Sequence, residues 1–252
     1  MDKTALAATA FFMIFFATTA GALAALTLSG AASKKHGAAL DGFSAGIMVA
    51  ASFFSLILPS IGYLEPFGRL KFIPLSISFL LGAAIFVATD FLAKKAVASP
   101  EDLVVTAPKK GLKTFIAMTV HNVPEGLVVG FAFGGACADN EVIAALLLAV
   151  GIAVQNFPEG AAVAMPMLAE GKSKLKSLFF GVLSGAVEPL AAAVGFAFSS
   201  ALKNLLPVFM AFSAGTMVFV VISEMLPGER STPRAVFFTL GFAVMMALDV
   251  AL

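Results

Sequence analysis

His121-Asn122-Val123-Pro124-Glu125-Gly126 is followed 34 positions later (155 − 121) by Gln155-Asn156-Phe157-Pro158-Glu159-Gly160, each in the middle of a long apolar run. A carboxyl group at the centre of a membrane helix costs about 2.5–3.5 kcal/mol on insertion scales. Two of them, each four residues after His121 or Gln155 and one after a proline, point to a function rather than to packing. Residues i, i+3 and i+4 share one face of a helix. Glu125 therefore lies on the face of His121 and Asn122, and Glu159 on the face of Gln155 and Asn156. Two such helices set against each other offer two adjacent cation sites bridged by two glutamates. Each proline removes one backbone N–H and crowds the carbonyl four residues back, at Val120 and Val154. Carbonyls released at membrane depth suit a cation or a water-lined cavity. A proline kink with its carboxyl hydrogen-bonded to a neighbouring helix is the alternative for one copy, and the doubling argues against it.

The rest of the chain sets these motifs in a bilayer. Of 252 residues, 60% are hydrophobic and 12% charged, with a mean hydropathy of +1.00. No soluble domain has this composition, so the chain reads as an all-α integral membrane protein. A net charge of +1 gives no case for nucleic acid. The lone Cys137 excludes an intramolecular disulfide and a cysteine metal cluster, and reads as a small buried apolar residue. Eight runs are long enough to cross, near 4–28, 39–63, 70–93, 112–135, 141–169, 176–200, 204–227 and 234–252, forming a single transmembrane domain over 1–252. The first is too long for the core of a signal peptide. Only the connection from Lys94 to Lys113 is long; its Ser99-Pro100-Glu101-Asp102 and Ala107-Pro108-Lys109-Lys110 stretches read as a mobile loop.

Basic residues orient the spans. Twelve lysines and arginines, among them Lys34, Lys35, Lys109, Lys110, Lys113, Lys172 and Arg234, fall in the odd-numbered connections; four, Lys3, Arg69, Lys71 and Lys203, fall on the other side. The positive-inside rule puts the odd connections in the cytoplasm and both termini outside the cell membrane. An internal repeat accompanies this. Phe43-Ser44-Ala45-Gly46-Ile47-Met48 in helix 2 matches Phe212-Ser213-Ala214-Gly215-Thr216-Met217 in helix 7, and Leu81-Gly82, Ala84, Ala88 and Asp90 in helix 3 match Leu240-Gly241, Ala243, Ala247 and Asp249 in helix 8. Helices 1–3 thus echo 6–8 around a central helix 4/5 pair, with opposite directions in the membrane. Inverted repeats with a midplane site are a transporter pattern. The helix 1 to helix 6 match is too weak to use.

The doubled motif resembles the HNxPEG and (H/Q)(N/D)xPEG motifs of the Zrt/Irt-like (ZIP) divalent-metal transporters, and the resemblance extends over most of the chain. It implies uptake of a divalent transition metal into the cytoplasm, with zinc first and iron, manganese, cobalt or cadmium as alternatives. The metal is substrate rather than cofactor, and no enzymatic activity is implied. It assigns metal-ligand roles to His121, Asn122, Glu125, Gln155, Asn156 and Glu159, and to Glu188, which precedes Pro189 in helix 6 and completes a second site. Met48 sits where relatives present a ligand from helix 2, although a thioether there also simply packs. Ser55 and Glu224 fall where relatives line the entry and exit routes, and a merely solvated carboxylate is an equal reading of Glu224. The resemblance further implies movement of helices 1, 4, 5 and 6 against 2, 3, 7 and 8, in a homodimer. Close relatives often carry histidine at 155 and aspartate at 156, so Gln155 weakens the case for zinc and Asn156 removes a charge. Many relatives have a histidine-rich segment in the third connection; this chain has none.

Other features are weaker. Asp90 and Asp249 read as residues capping or solvating helix ends, and His36 as solvated. Gly42-Phe43-Ser44-Ala45-Gly46 fits the G-x-S-x-G nucleophile pattern, but without a strand-to-helix elbow or a histidine base it reads as small residues at a helix contact. An intramembrane metalloenzyme needs an open metal position and a further acid, base or nucleophile, and none is evident. A proton-coupled carrier of an organic solute leaves the placement of His121 and Gln155 unexplained. One histidine with amides and carboxylates forms a borderline-to-hard donor set, which fits the named divalent ions and disfavours Cu⁺.

Overall fold

The computed structural model describes residues 2–27, 30–97, 110–226 and 231–251. The expected turn stretches at 99–102 and 107–109 lie outside these, as do the side chains of Lys34, Lys35, His36 and Asp90. Eight helices are long and apolar enough to cross a membrane, and there is no strand among the described residues. Helix α1 is Lys3–Ala25. Helix α2 runs from Gly30–Ala51 through a π-helical turn, Ser52–Ile57, into Leu58–Tyr63. After a 3₁₀ segment, Glu65–Lys71, come α3 (Phe72–Val97), α4 (Lys110–Gly135) and α5 (Asp139–Ala169). Helix α6 is Lys174–Gly185 and Val187–Leu202; α7 is Leu206–Val220 with a π-helical turn, Val221–Met225; α8 is Thr232–Ala251. All eight expected spans are present. Large apolar side chains such as Leu80 and Leu190 face outward, as lipid contact requires.

Local chemistry sets the ends. The turn between α5 and α6 needs a left-handed residue, supplied by Gly171 at φ +80°. Ser173 then caps α6, its Oγ accepting from Lys176 N at 3.3 Å. At the start of α5, Glu141 Oε2 accepts from Cys137 N at 2.6 Å and Ala138 N at 3.2 Å, satisfying N–H groups that the helix leaves open.

The helices pack in pairs: α1 on α5, α4 on α6, α2 on α8 and α3 on α7, with α4 beside α5. This makes two four-helix units, α1/α4/α5/α6 and α2/α3/α7/α8, meeting along a seam where α2 lies on α5 and α4 on α7. Each contact maps onto its partner under the repeat. A Cβ built on Gly46 would stand 2.0 Å from Phe238 O in α8, and on Gly215 2.0 Å from Phe79 O in α3. On Gly241 it would stand 2.2 Å from Phe43 O, and on Gly82 2.1 Å from Phe212 O. The glycines of the G-x-S-x-G stretch are therefore helix-contact residues, where backbones approach too closely for a side chain. The repeat also reaches helices 1 and 6. Gly160 of α5 lies against Thr18 O of α1 (1.8 Å from a built Cβ), and Gly126 of α4 against Glu188 O of α6 (2.4 Å), so Thr18 and Glu188 occupy matching places.

Helices α4 and α5 continue through Pro124 and Pro158, as the uninterrupted spans at 112–135 and 141–169 require. Close packing through Gly126 and Gly160, two residues on, holds both helices in register. An interruption lies instead in α6 at Ala186, with Pro189 in the first turn of Val187–Leu202, where a missing N–H costs nothing.

Candidate metal centre

Both motifs meet at the middle of the α4/α5 contact. His121, Asn122, Glu125, Gln155 and Asn156 are fully buried, and Glu159 is 1% exposed. One ligand atom from each of His121, Glu125 and Glu159 lies within 4.8 Å of the others. His121 Nε2 stands 3.2 Å from Glu125 Oε1 and 3.5 Å from Glu159 Oε1. Gln155 Nε2 donates to Glu125 Oε1. On the far side of the imidazole, His121 Nδ1 is 3.4 Å from Thr216 Oγ1 of α7. The Thr216 hydroxyl donates to Ser213 O at 2.7 Å, so toward His121 it accepts. A neutral ring then carries its proton on Nδ1 and turns the Nε2 lone pair to the two carboxylates, the tautomer that a metal ligand needs.

The second half of the site gathers on Glu188, which is buried at the N-terminal end of the second α6 segment. Its Oε1 accepts from Asn122 Nδ2 at 2.9 Å and from Thr18 Oγ1 at 3.0 Å; its Oε2 accepts from Asn156 Nδ2 at 2.7 Å. Asn122 Nδ2 also donates to Ser184 O at 2.9 Å, and Asn156 Nδ2 to Ile14 O at 3.4 Å. These bonds use the amide N–H groups and leave the amide oxygens over.

Those leftovers define the chemistry. His121 Nε2, Asn122 Oδ1, Glu125 Oε2, Gln155 Oε1, Asn156 Oδ1 and both oxygens of Glu159 are buried with no hydrogen-bond partner. The oxygens are lone-pair donors, as is Nε2 in the tautomer above. Buried polar atoms are normally satisfied, and a carboxylate kept from water is costly. No lysine or arginine among the described residues is buried to compensate. A cation coordinated by these atoms would satisfy them together.

The remaining expected residues lie around this centre. Met48 is fully buried in the apolar cluster that also holds Met217, Leu56 and Val220. Ser55 Oγ donates to Asp249 Oδ1 at 2.6 Å. Both line a cavity of about 560 Å³ whose rim includes exposed Tyr63, Cys137 and Glu141. A Cβ on Gly151, one turn before Gln155, would stand 3.1 Å from Ser55 Oγ and 3.4 Å from Asp249 Oδ1, so this pair lies next to the metal centre along α5. Glu224, in the π-helical turn of α7, is 7% exposed and paired with Lys113 rather than simply solvated.

Two expectations are corrected. Cys137 is exposed, because α4 ends at Gly135 and leaves it in the link to α5. Asp249 does not cap a helix end: it is half-buried in the cavity wall on Ser55, since the α2/α8 contact turns it inward. The sequence reading missed Thr18, Thr216 and Lys113. A signal existed for Thr216, which lies in the repeated stretch at 212–217, but none for Thr18, whose helix carries no readable match.

Comparison with known proteins identifies the family. The family model described as ZIP Zinc transporter matches residues 106–249, more than half of the chain. Zinc transporter ZIPB of Bordetella bronchiseptica is 35% identical, covering 94% of this chain and 78% of that protein. Zinc transporter GufA of Myxococcus xanthus is 33% identical, covering 94% of each. Zinc transporter ZIP11 of Homo sapiens is 31% identical, covering 84% of this chain and 87% of that protein. With eight membrane-crossing helices, the doubled motif at their centre and this similarity along nearly its whole length, the chain belongs to the ZIP zinc transporter family.

Proposed function

We propose that the chain carries Zn²⁺, and less selectively Fe²⁺, Mn²⁺, Co²⁺ or Cd²⁺, across the cell membrane into the cytoplasm, and that it is a carrier rather than an enzyme. The buried, unpartnered donor atoms of His121, Glu125, Gln155 and Glu159 carry this reading. Two ions fit the site. The first lies among His121, Glu125, Gln155 and Glu159. The second lies among Asn122, Asn156 and Glu188, where metal replaces the amide hydrogen bonds; Glu125 and Glu159 bridge the two. Met48, from α2, is a thioether neighbour of the first ion.

The lysine-rich face is cytoplasmic and both termini are outside, on the twelve-to-four charge bias. Metal then enters by the cavity, passes Ser55 and Asp249, reaches His121, and leaves past Glu224. The two units along the α2/α5 and α4/α7 seam suit alternating access, with residues 1–252 acting as one transport domain and two copies forming a homodimer. Metal uptake into proteoliposomes, with competition among the five ions, tests the substrate. Orientation is tested by single cysteines at Lys34 and Asn140 in a Cys137→Ser background, which should label from opposite sides. Labelling from one side overturns the orientation, and absence of metal flux overturns the function.

A further inference from the structure

The wall between the metal centre and the lysine-rich face contains an ion pair across the seam. Lys113 Nζ of α4 stands 2.7 Å from Glu224 Oε1 of α7, with the Glu224 side chain 6% exposed. Lys113, Ala117, His121 and Glu125 recur every four residues, so each lies beside the next on a line that winds slowly round α4. Lys113 lies eight residues before His121 (121 − 113), and Glu224 eight after Thr216 (224 − 216). The helices are antiparallel, so Lys113–Glu224 and His121–Thr216 are two rungs of one α4/α7 ladder, about 12 Å apart at the helical rise. Between the rungs Ala117, Val220 and Val221 are buried. The repeat supplies the contrast. The position 34 after Lys113 is Leu147, which lines the cavity at the opposite face. The end bearing Leu147 lines a cavity, whereas at the end bearing Lys113 the described residues present an apolar layer and a charge pair.

We infer that Lys113 is the gate of the exit route: its ammonium occupies the Glu224 carboxylate while the path from His121 is shut, and metal leaves only once the pair is broken. Metal passage is then an exchange of cations at one carboxylate, tethered ammonium for divalent ion. Breaking the pair also removes one rung between α4 and α7, which couples opening of the exit to movement along the seam. The inference rests on the transport reading and orientation above.

The test is the rate at which a membrane-impermeant maleimide labels Ala117→Cys, in a Cys137→Ser background, from the cytoplasmic side of everted vesicles. The charge-neutral double variant Lys113→Met, Glu224→Gln should label about fivefold faster than the parent, the effect expected of an ion pair of ordinary strength. Lys113→Arg should keep the parent rate, and the charge-swapped Lys113→Glu, Glu224→Lys should label slowly again. Equal labelling in the parent and the neutral double variant overturns the gate. If the double variant does not fold, the swapped variant decides alone, since fast labelling there overturns the gate and slow labelling supports it. Asn140→Cys, labelled in parallel, should react only from the other face; reaction from the same face indicts the orientation and not the gate.

Discussion

Replacing Gly160 with alanine tests the contact that sets α1 against α5 beside the candidate site. The added Cβ would stand 1.8 Å from Thr18 O, 2.8 Å from Thr18 C and 2.9 Å from Ala22 N, all backbone atoms that cannot swing aside. Ordinary contact begins at 3.4 Å, so α1 must retreat by 1.6 Å (3.4 − 1.8). A shift of that size is enough to carry the Thr18 hydroxyl, 3.0 Å from Glu188 Oε1, out of hydrogen-bond range. Overpacking costs about 1–3 kcal/mol and the lost bond to a carboxylate about 1.5–3 kcal/mol, so the variant should lose about 2.5–6 kcal/mol. At about 2–4 °C per kcal/mol for a chain near this length, that lowers Tm by roughly 5–24 °C. Gly62→Ala is the control, because no atom lies within 4 Å of its Cβ. Thermal unfolding in detergent, with zinc uptake measured on the same preparations, should show Gly160→Ala destabilised and slow while Gly62→Ala matches the parent. If Gly160→Ala melts and transports like the parent, the close approach of α1 and α5 is wrong, and with it the placement of Thr18 on Glu188.

Glu125→Ala and Glu159→Ala should each abolish metal uptake, while Glu188→Ala should only reduce it; normal uptake by a well-expressed Glu125 or Glu159 variant contradicts the bridging roles. Thr216→Val removes the acceptor for His121 Nδ1 and should weaken zinc binding about 10–100-fold, measured by competition with a metal dye, as loss of an outer partner typically does; unchanged affinity would show that the tautomer is fixed elsewhere. Metal takes His121 and the glutamates deprotonated, so zinc affinity should fall on acidification and binding should release protons. Zinc added to purified protein in weak buffer with a pH dye should acidify it, less so in a Glu125→Gln, Glu159→Gln double variant; binding without proton release would mean the ligands are already deprotonated when empty.

The sequence determined the class, the eight spans and the heart of the candidate site, because the underlying signals are local. Apolar runs of about 20 residues mark membrane helices whatever their partners. The spacing of His121 to Glu125 and of Gln155 to Glu159 fixes a shared helix face before any packing is known. The repeat at 43–48 and 212–217 was legible because close backbone contact demands small residues at Gly46 and Gly215.

Tertiary structure decided what depends on neighbours distant in sequence. Thr18 meets Glu188 across 170 residues, and no pattern within helix 1 announces it. Asp249 reads as a helix-end residue until α8 packs on α2 and turns it onto Ser55. The span read at 176–200 looks continuous, yet helix 6 is interrupted at Ala186, with Pro189 in the first turn of the segment that follows. Lys113 reads as one of many loop lysines, and only the α4/α7 seam brings its ammonium to Glu224. A helix face follows from the chain's own 3.6-residue period, whereas the partner of a buried polar group follows from which helices the fold brings together.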